Sequence, residues 1–215
     1  MSILAETVER AKARYSDPEF TARLADVEKR VADLEAREVL RHRADRLKRT
    51  GIPEAVWGLL DAPQATDAFH ATAEFLREAV ESGRFLVLAG PAGRGKTVAA
   101  CWGVWHRGGR YLMAQELVRL STFDREIWEE LAGVPLLALD DLGSERGNDE
   151  FDANLYEFLD RRHRRLRKTV ICTNLTATDF RKRYAAGAMG RLHSRITSAG
   201  EWVNLPGADM RQEAK

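Results

Sequence analysis

Residues 90–97 read GPAGRGKT, a glycine-rich stretch that follows the apolar run RFLVLA. The three glycines allow the backbone to turn so that successive N–H groups face one anion. The spacing matches G-x-x-x-x-G-K-[S/T], the pattern of a loop that binds the phosphates of a nucleotide. The predicted phosphate-binding residues are Gly90, Pro91, Ala92, Gly93, Arg94, Gly95, Lys96 and Thr97.

Lys96 and Thr97 supply the charged group and the metal-binding group of this predicted loop. The ammonium group can reach the β- and γ-phosphates, and the hydroxyl can ligate Mg²⁺. The loop precedes VAACWGVW, which is predicted to form a helix whose positive end adds to phosphate binding. A chance match in a glycine-rich loop is the alternative, and the strand before and helix after the loop disfavour it.

The acidic pair Asp140-Asp141 follows the apolar run PLLAL and is a second candidate for chemistry. Proteins with a phosphate-binding loop place the carboxylate that organises Mg²⁺ at the carboxyl end of a strand. We therefore expect Asp140 to hold the metal through water and Asp141 to polarise the attacking water. Turn residues or helix caps are the alternative, which the upstream loop at 90–97 disfavours.

Asn174 follows a third apolar run, TVICT, at residues 169–173. Its side-chain amide both donates and accepts, so it could contact the γ-phosphate or the attacking water. An asparagine after a strand is often only a turn residue. The assignment of Asn174 therefore depends on the other two groups.

Short apolar runs alternate with amphipathic segments from about residue 66, and these elements must position the candidate residues. Strands are predicted at 85–89, 111–114, 135–139, 169–173 and 202–205. Helices are predicted at 66–82, 96–106 and 151–165, with further helical segments up to Leu131. One face of the helix at 151–165 carries Phe151, Leu155, Phe158, Leu159 and Arg162. The pattern predicts an α/β fold with a parallel sheet covered on both faces.

The first fifty residues differ from the rest because they contain no glycine and one proline, Pro18. Asp17-Pro18 is a favourable pair for a helix start, so we predict one helix before it and a longer one after it. The second helix carries an apolar stripe of Leu24, Val27, Val31 and Leu34. We predict a helical, partner-binding region at 1–50, whose stripe packs on a partner or on the chain's own core. Gly51-Ile52-Pro53 ends this helix, and a nucleotide-binding domain follows at 51–215.

The composition is that of an ordinary globular protein, with 44% hydrophobic and 31% charged residues and a formal net charge of +1. Contact with a nucleic acid must therefore come from a local basic patch. Cys101 and Cys172 lie in apolar runs, so we expect buried, reduced thiols and no zinc module. No run approaches the roughly 20 apolar residues of a membrane span, and a signal-peptide apolar region is missing, which predicts a cytoplasmic protein.

These segments, together with GRLHSRI at 190–196, resemble the AAA+ ATPases of the DnaC/IstB group. That group contains replicative-helicase loaders of bacteria and phages and ATPase helpers of certain transposons. The resemblance begins at RLKRTGIP (46–53) and implies an AAA+ P-loop NTPase core that binds ATP and Mg²⁺ around a five-stranded parallel sheet. It implies that Lys96 and Thr97 belong to Walker A, Asp140 and Asp141 to Walker B, and that Asn174 is sensor 1.

The same resemblance implies that Arg195 is an arginine finger, with Arg191 as the second choice. Such an arginine reaches the γ-phosphate that a neighbouring subunit binds and stabilises charge in the transition state. ATP would then lie between subunits of an ATP-dependent oligomer. Without the resemblance, both arginines would be interpreted as surface residues of a helix.

Two features depart from the wider AAA+ pattern. Asp141 stands where a glutamate is usual, which predicts slow hydrolysis. The residues after the last predicted strand are too few for a C-terminal helical lid, so we expect no lid and no sensor 2, as in the loaders.

The basic run RRHRRLRK at 161–168 has two interpretations. Basic residues at the end of a helix interact favourably with the helix dipole and with solvent. The alternative is contact with the phosphates of single-stranded DNA in the channel of an oligomer.

The resemblance implies a DNA replication factor, a helicase loader whose ATP-bound oligomer contacts single-stranded DNA and loads or remodels a replicative ring helicase. The runner-up is an IstB-like helper of transposition, with a transposase as its partner. A small-molecule kinase and a nucleotide-binding scaffold with little turnover are further alternatives. The acidic pair, Asn174 and Arg195 disfavour the kinase.

Overall fold

A computed structural model of the chain describes residues 18–79, 84–120, 125–145, 149–184, 187–207 and 209–210. Its elements in chain order are α1 (Pro18–Thr50), a 3-10 helix (Glu54–Leu59), α2 (Asp67–Arg77), β1 (Phe85–Ala89), α3 (Lys96–Arg107), β2 (Gly109–Met113), α4 (Ala114–Arg119), α5 (Arg125–Gly133), β3 (Leu136–Asp140), α6 (Asp149–Arg164), β4 (Lys168–Thr173), α7 (Ala177–Arg183), α8 (Gly187–Ala199) and β5 (Gly200–Asn204). The chain divides between Arg46 and Leu47 into two compact units. Within the described residues, no helix combines the length and the apolarity that crossing a bilayer would require.

The described part of the first unit is a long polar helix that belongs to α1. Ion pairs one turn apart support it, between Glu19 and Arg23 at 2.6 Å and between Asp26 and Arg30 at 2.9 Å. Such exposed pairs each contribute only about 0.3–0.5 kcal/mol. The members of the predicted apolar stripe whose side chains are described, Val27, Val31 and Leu34, are exposed. The helix predicted before Asp17 lies outside the described residues.

α1 ends at Thr50, as Gly51-Ile52-Pro53 predicted. Gly51 adopts a φ of +77°, the left-handed conformation that closes many helices. A Cβ atom at this position would lie 2.5 Å from the carbonyl oxygen of Tyr111, so only glycine fits here. The end of α1 is therefore held closely against β2.

The strands form one parallel sheet in the order β2-β3-β4-β1-β5. The predicted strand at 85–89 matches β1, and each of the others lies within two or three residues of its predicted bounds. One shift bears on the chemistry, because β3 extends to Asp140. This residue is therefore the last of the strand, and the turn begins at Asp141.

Both faces of the three central strands, β1, β3 and β4, are buried, as their continuous apolar runs predicted. Side chains of β1, β3 and β4 alternate between two core clusters. The cluster beneath α4 to α8 includes Phe85, Val87, Leu137, Leu139 and Ile171. The cluster beneath α2 and α3 includes Leu86, Leu88, Leu136, Ala138, Val170 and Cys172. The predicted face of α6 also packs into the core, since Phe151, Leu155, Phe158, Leu159 and Arg162 are all buried.

The helix predicted at 66–82 ends early in the structure, since α2 ends at Arg77 and Glu78 is extended. Residues 80–82 of that prediction lie outside the described residues. The buried ammonium group of Lys168 donates to the carbonyl oxygens of Phe75 and of Glu78, the latter at 2.9 Å. Lys168 therefore competes with backbone N–H groups for the last carbonyl oxygens of this helix. A residue so distant in sequence leaves no signal in the local pattern.

After β4, the helix α7 was not predicted, and α8 contains Arg191 and Arg195, which were expected on a helix whose bounds were not predicted. Thr176 caps α7, because its side chain accepts a hydrogen bond from the N–H of Asp179 at 3.1 Å. The pair Thr176-x-x-Asp179 resembles a capping box and could have identified this helix start. The motif at 190–196 lies within α8.

Arg162 is a fully buried cation held by oxygen atoms of the main chain. Its guanidinium donates to the carbonyls of Leu131 (2.7 Å), Ala132 (3.4 Å), Val134 (3.1 Å) and Lys168 (2.6 Å) and to the hydroxyl of Thr169 (3.0 Å). Burial, with a smaller effect of nearby Arg167, lowers the pKa of Arg162 to about 9, so it stays charged at neutral pH. The guanidinium therefore joins the end of α5, the approach to β3 and the start of β4.

Four other basic residues of the run at 161–168 also have partners within the chain. Arg161 pairs with Glu129 and Glu157, Arg164 with Asp160, and Arg165 with Glu129. Lys168 is buried. These contacts favour the helix-end interpretation of the run over contact with single-stranded DNA.

Replacing Arg162 tests the importance of this cage. We expect Arg162→Met to lower the free energy of unfolding by about 3 kcal/mol or more, because buried carbonyls lose their donor. The matched control is Arg167→Met, an exposed arginine between α6 and β4, which should change it by less than about 0.5 kcal/mol. Urea unfolding at pH 7 measures both. Equal effects of the two substitutions would contradict a stabilising role of the cage.

Candidate nucleotide-binding site

Three neighbouring strands bring the predicted site residues to one edge of the sheet. Parallel register pairs Ala89 of β1 with Thr173 of β4, so the loop after β1 and Asn174 begin side by side. β3 lies on the other side of β4 and ends at Asp140. Residues 90–97, the acidic pair and Asn174 therefore converge.

Within the segment 90–97, the irregular part ends at Gly95, and Lys96 is the first residue of α3. Gly95 has a φ of +75° and caps the N-terminus of this helix. This left-handed conformation is unfavourable for residues with a Cβ, so glycine is required at the entry to the helix. The first turn of α3 leaves backbone N–H groups free of helical partners, and these point toward the loop. The arrangement can bind an anion such as a phosphate.

Lys96 is nearly buried, with an exposed fraction of 7%, and its ammonium group lies over the loop. It donates to the carbonyl oxygens of Gly90 at 2.6 Å and Pro91 at 2.7 Å. It also donates to Oδ1 of Asn174 at 3.0 Å. Phosphate oxygens are stronger acceptors than these neutral groups, so a bound phosphate could compete for the ammonium.

Asp140 is fixed by three donors. Its Oδ2 accepts from the hydroxyl of Thr97 and from the hydroxyl of Tyr111, each at 2.7 Å. Its Oδ1 accepts from the N–H of Asp141 at 2.9 Å. Tyr111 was not predicted as a site residue, because nothing local distinguishes it from other tyrosines of a buried strand.

Asp141 has a φ of +57°, which is uncommon for a residue other than glycine. Its Oδ1 accepts from Nδ2 of Asn174 at 2.9 Å, and its Oδ2 accepts from the hydroxyl of Ser144 at 2.7 Å. The following turn is tied to β4, since Thr173 donates its hydroxyl to the carbonyl of Leu142 at 2.6 Å. Asp141 and Asn174 are thus held in contact with each other, and Asn174 links them to Lys96.

Two adjoining cavities open at this edge. A cavity of about 550 Å³ is lined by the loop, Asp140, Asp141 and Asn174. A more apolar cavity of about 370 Å³ shares Gly95 with it and is lined by Leu59, Pro63, Phe69 and Val98, among others. Residues 59–69 carry no motif and reach the loop only through the fold, so the sequence did not identify them as site residues.

Oxygen donors at this edge suit a magnesium ion. The hydroxyl of Thr97 and the carboxylate of Asp140 are hard ligands, which Mg²⁺ prefers. Among the described residues, no group of three or more histidine, cysteine, aspartate or glutamate side chains could hold a metal. Mg²⁺ usually takes one or two protein ligands and completes its shell with phosphates and water, so the residues fit this ion.

The thiols of Cys101 and Cys172 are free and buried, as predicted. Burial, and secondarily the charge of Asp140, raises the pKa of both. Burial and Asp140 likewise raise the pKa of Tyr111. The phenol therefore stays protonated and remains a hydrogen-bond donor.

Arg195 lies on α8 and is not among the described residues that line the 550 Å³ cavity. Its Nε forms an ion pair with Oδ1 of Asp160 at 2.7 Å. Arg164 approaches Oδ2 of the same carboxylate at 3.0 Å. Arg191, the second choice, lies 4.9 Å from the ring centre of Tyr156. The fold thus brings together Lys96, Thr97, Asp140, Asp141 and Asn174, and leaves Arg195 on a separate helix.

No family model matches the chain, and no curated protein matches it in sequence. The structure of the DnaC helicase loader matches at 23% identity and a TM-score of 0.57, over 72% of this chain and 100% of that chain. The structure of DnaI matches at 22% identity and a TM-score of 0.55, over 70% of this chain and 88% of that chain. The structure of a replication initiator, DnaA bound to AMPPCP and single-stranded DNA, matches at 18% identity and a TM-score of 0.55. The match covers 66% of this chain and 46% of that chain.

At these identities the likeness shows the fold. The chain shares the α/β fold of these proteins, with the predicted five-stranded parallel sheet. It spans about half the length of the initiation-factor and DnaA chains that it matches.

Removing the Lys96 ammonium tests the phosphate-binding loop. We expect Lys96→Ala to weaken ATP binding by about a hundredfold or more, because the charged donor to the phosphates is lost. The matched control is Lys182→Ala on α7, an exposed lysine that pairs with Asp179 and should leave binding unchanged. Titration of a fluorescent ATP analogue measures both. Tight binding by Lys96→Ala would contradict the assignment.

Proposed function

We propose that this chain is a cytoplasmic AAA+ ATPase of the DnaC/IstB type that acts in DNA replication as a helicase loader. The observation that carries the proposal is the hydrogen-bonded chain from Lys96 through Asn174 to Asp141, beside the Thr97–Asp140 contact. A structural turn has no need for a nearly buried lysine, two adjacent carboxylates and an amide at one edge. An enzyme that hydrolyses a phosphoanhydride can use each of them, to bind phosphate, to hold Mg²⁺ and to orient the attacking water.

The two cavities divide the binding of ATP into two parts. The N–H groups of residues 90–97 and the ammonium of Lys96 bind the phosphates. The apolar cavity beside Gly95 accepts the base, since Leu59, Pro63 and Phe69 offer surfaces on which a ring can pack. Mg²⁺, when bound at Thr97 and Asp140, neutralises charge on the phosphate oxygens.

Asp141 and Asn174 are the residues that act on the attacking water. The carboxylate of Asp141 polarises the water, and the amide of Asn174 orients it and contacts the γ-phosphate. Asp141 already accepts two hydrogen bonds, from Asn174 and from Ser144. These bonds compete with the water for the carboxylate, which is a second reason, besides its shorter side chain, to expect slow hydrolysis.

Arg195 acts in trans on the ATP of a neighbouring subunit. Its side chain is 39% exposed, which leaves it accessible to another molecule, although it pairs with Asp160. A developing phosphate charge can replace this carboxylate as the partner of the guanidinium. The active form is therefore an ATP-dependent oligomer with ATP between subunits.

The partners follow from the proteins that share the fold. DnaC is described as a helicase loader, and DnaA is described with AMPPCP and single-stranded DNA. We propose a replicative DNA helicase as the partner, bound through residues 1–50, and single-stranded DNA as a ligand of the oligomer. An IstB-like role, with a transposase as the partner, is the alternative.

A mixing experiment tests the trans arginine. We expect Arg195→Ala to lower ATP hydrolysis by about a hundredfold or more while ATP binding stays nearly intact. Mixing it with Lys96→Ala should restore hydrolysis, because one variant binds ATP and the other contributes Arg195. Arg181→Ala on α7, also an exposed arginine, is the control and should hydrolyse ATP normally. No restoration in this mixture would contradict action in trans. If Arg191→Ala is the inactive variant and its mixture with Lys96→Ala hydrolyses ATP, the role belongs to Arg191.

A second experiment separates the two partners. The full chain with ATP is mixed with a replicative ring helicase or with a transposase from the same source, and co-elution is measured. The rate of ATP hydrolysis is measured with and without single-stranded DNA. Co-elution with the helicase and a rate altered by DNA are expected. Selective co-elution with the transposase would support the alternative, and loss of all responses would contradict both roles.

A further inference from the structure

The hydroxyl of Tyr111 is the least expected group at the candidate site. Tyr111 lies in β2, an edge strand of the sheet, and its exposed fraction is 4%. In the sheet register it pairs with Ala138, two residues before Asp140. Its hydroxyl nevertheless reaches Oδ2 of Asp140 at 2.7 Å, the same oxygen that Thr97 contacts.

The main chain of Tyr111 is also held in place. The close approach of Gly51, where any Cβ would lie 2.5 Å from the Tyr111 carbonyl oxygen, packs the end of α1 on this residue. Nearby, Arg110 donates to the carbonyl of Arg49 at 3.0 Å, which ties the same strand to the same helix end. The phenol is therefore presented to Asp140 by a strand that is fixed on its outer side.

We propose that Tyr111 is a positioning residue that holds the Asp140 carboxylate in the orientation needed for Mg²⁺, an inference that rests on the proposed function. Thr97 would have two tasks, because its hydroxyl oxygen would ligate the metal while its proton is donated to Asp140. Tyr111 has no such second task. With the N–H of Asp141 on the other oxygen, it fixes the plane of the carboxylate.

The test removes one oxygen atom. Tyr111→Phe keeps the ring and deletes the hydroxyl, and Tyr111→Met is a second variant that also lacks it. The measured quantity is the Mg²⁺ concentration that half-saturates the tight binding of a fluorescent ATP analogue. We expect both variants to need roughly tenfold more Mg²⁺, the usual effect of losing a group that orients a metal ligand. Binding of the analogue in EDTA should equal that of the unmodified chain.

Tyr184→Phe is the matched control. Tyr184 is equally buried and also donates to a carboxylate, Oε1 of Glu145 at 2.5 Å, which does not contact Thr97 or Asp140. The control should lose thermal stability to a similar extent and keep the Mg²⁺ requirement of the unmodified chain. A purely structural hydroxyl at position 111 would give the same pattern as this control.

The outcomes separate this inference from the proposed function. An unchanged Mg²⁺ requirement in Tyr111→Phe and Tyr111→Met, with Mg²⁺-dependent binding in the unmodified chain, overturns the role of Tyr111 alone. An equal increase in Tyr184→Phe overturns it as well, because the effect would then be general destabilisation. Failure of the unmodified chain to bind the nucleotide, or binding that ignores Mg²⁺, overturns the proposed function together with this inference.

Discussion

The parallel pairing of β4 with β1 on one side and β3 on the other is the constraint on which the candidate site depends. Parallel strands end at the same edge, so Ala89, Asp140 and Thr173 bring the residues that follow them to one place. Antiparallel pairing would place those segments at opposite edges. The continuous apolar runs that stabilise the sheet therefore also create the site, since burial on both faces requires helical crossovers and hence parallel strands.

Arg162 holds the opposite ends of the same strands, which are their amino ends. Its guanidinium connects main-chain oxygens before β3, at Leu131 and Val134, with the first residue of β4, Lys168. Lys168 in turn donates to the end of α2. Two buried cations thus organise the amino ends of the strands through carbonyl oxygens. These residues come from the basic run, so their charge serves the fold and is not available to a ligand.

The site edge, by contrast, concentrates polar groups that are nearly buried. Lys96 and Asp140 are each 7% exposed, and burial of charges is costly unless hydrogen bonds satisfy them. Each has at least three partners within hydrogen-bond distance, and these include main-chain oxygens, Asn174, Thr97 and Tyr111. The partners are groups that a nucleotide and a metal ion can replace or share.

The sequence by itself determined the strands, the loop at 90–97, the acidic pair and Asn174, because each depends on a local pattern of residue types. It also identified the buried face of α6, including Arg162, and the end of α1. Only the tertiary structure decided that Lys168 donates to the carbonyls at the end of α2 and that Tyr111 holds Asp140. The pairing of Arg195 with Asp160 and the second cavity, lined from residues 59–69, also depend on the tertiary structure. Each of these contacts joins residues on different elements. Periodicity and motifs report the neighbours along the chain, whereas hydrogen-bond partners across the sheet exist only after it has folded.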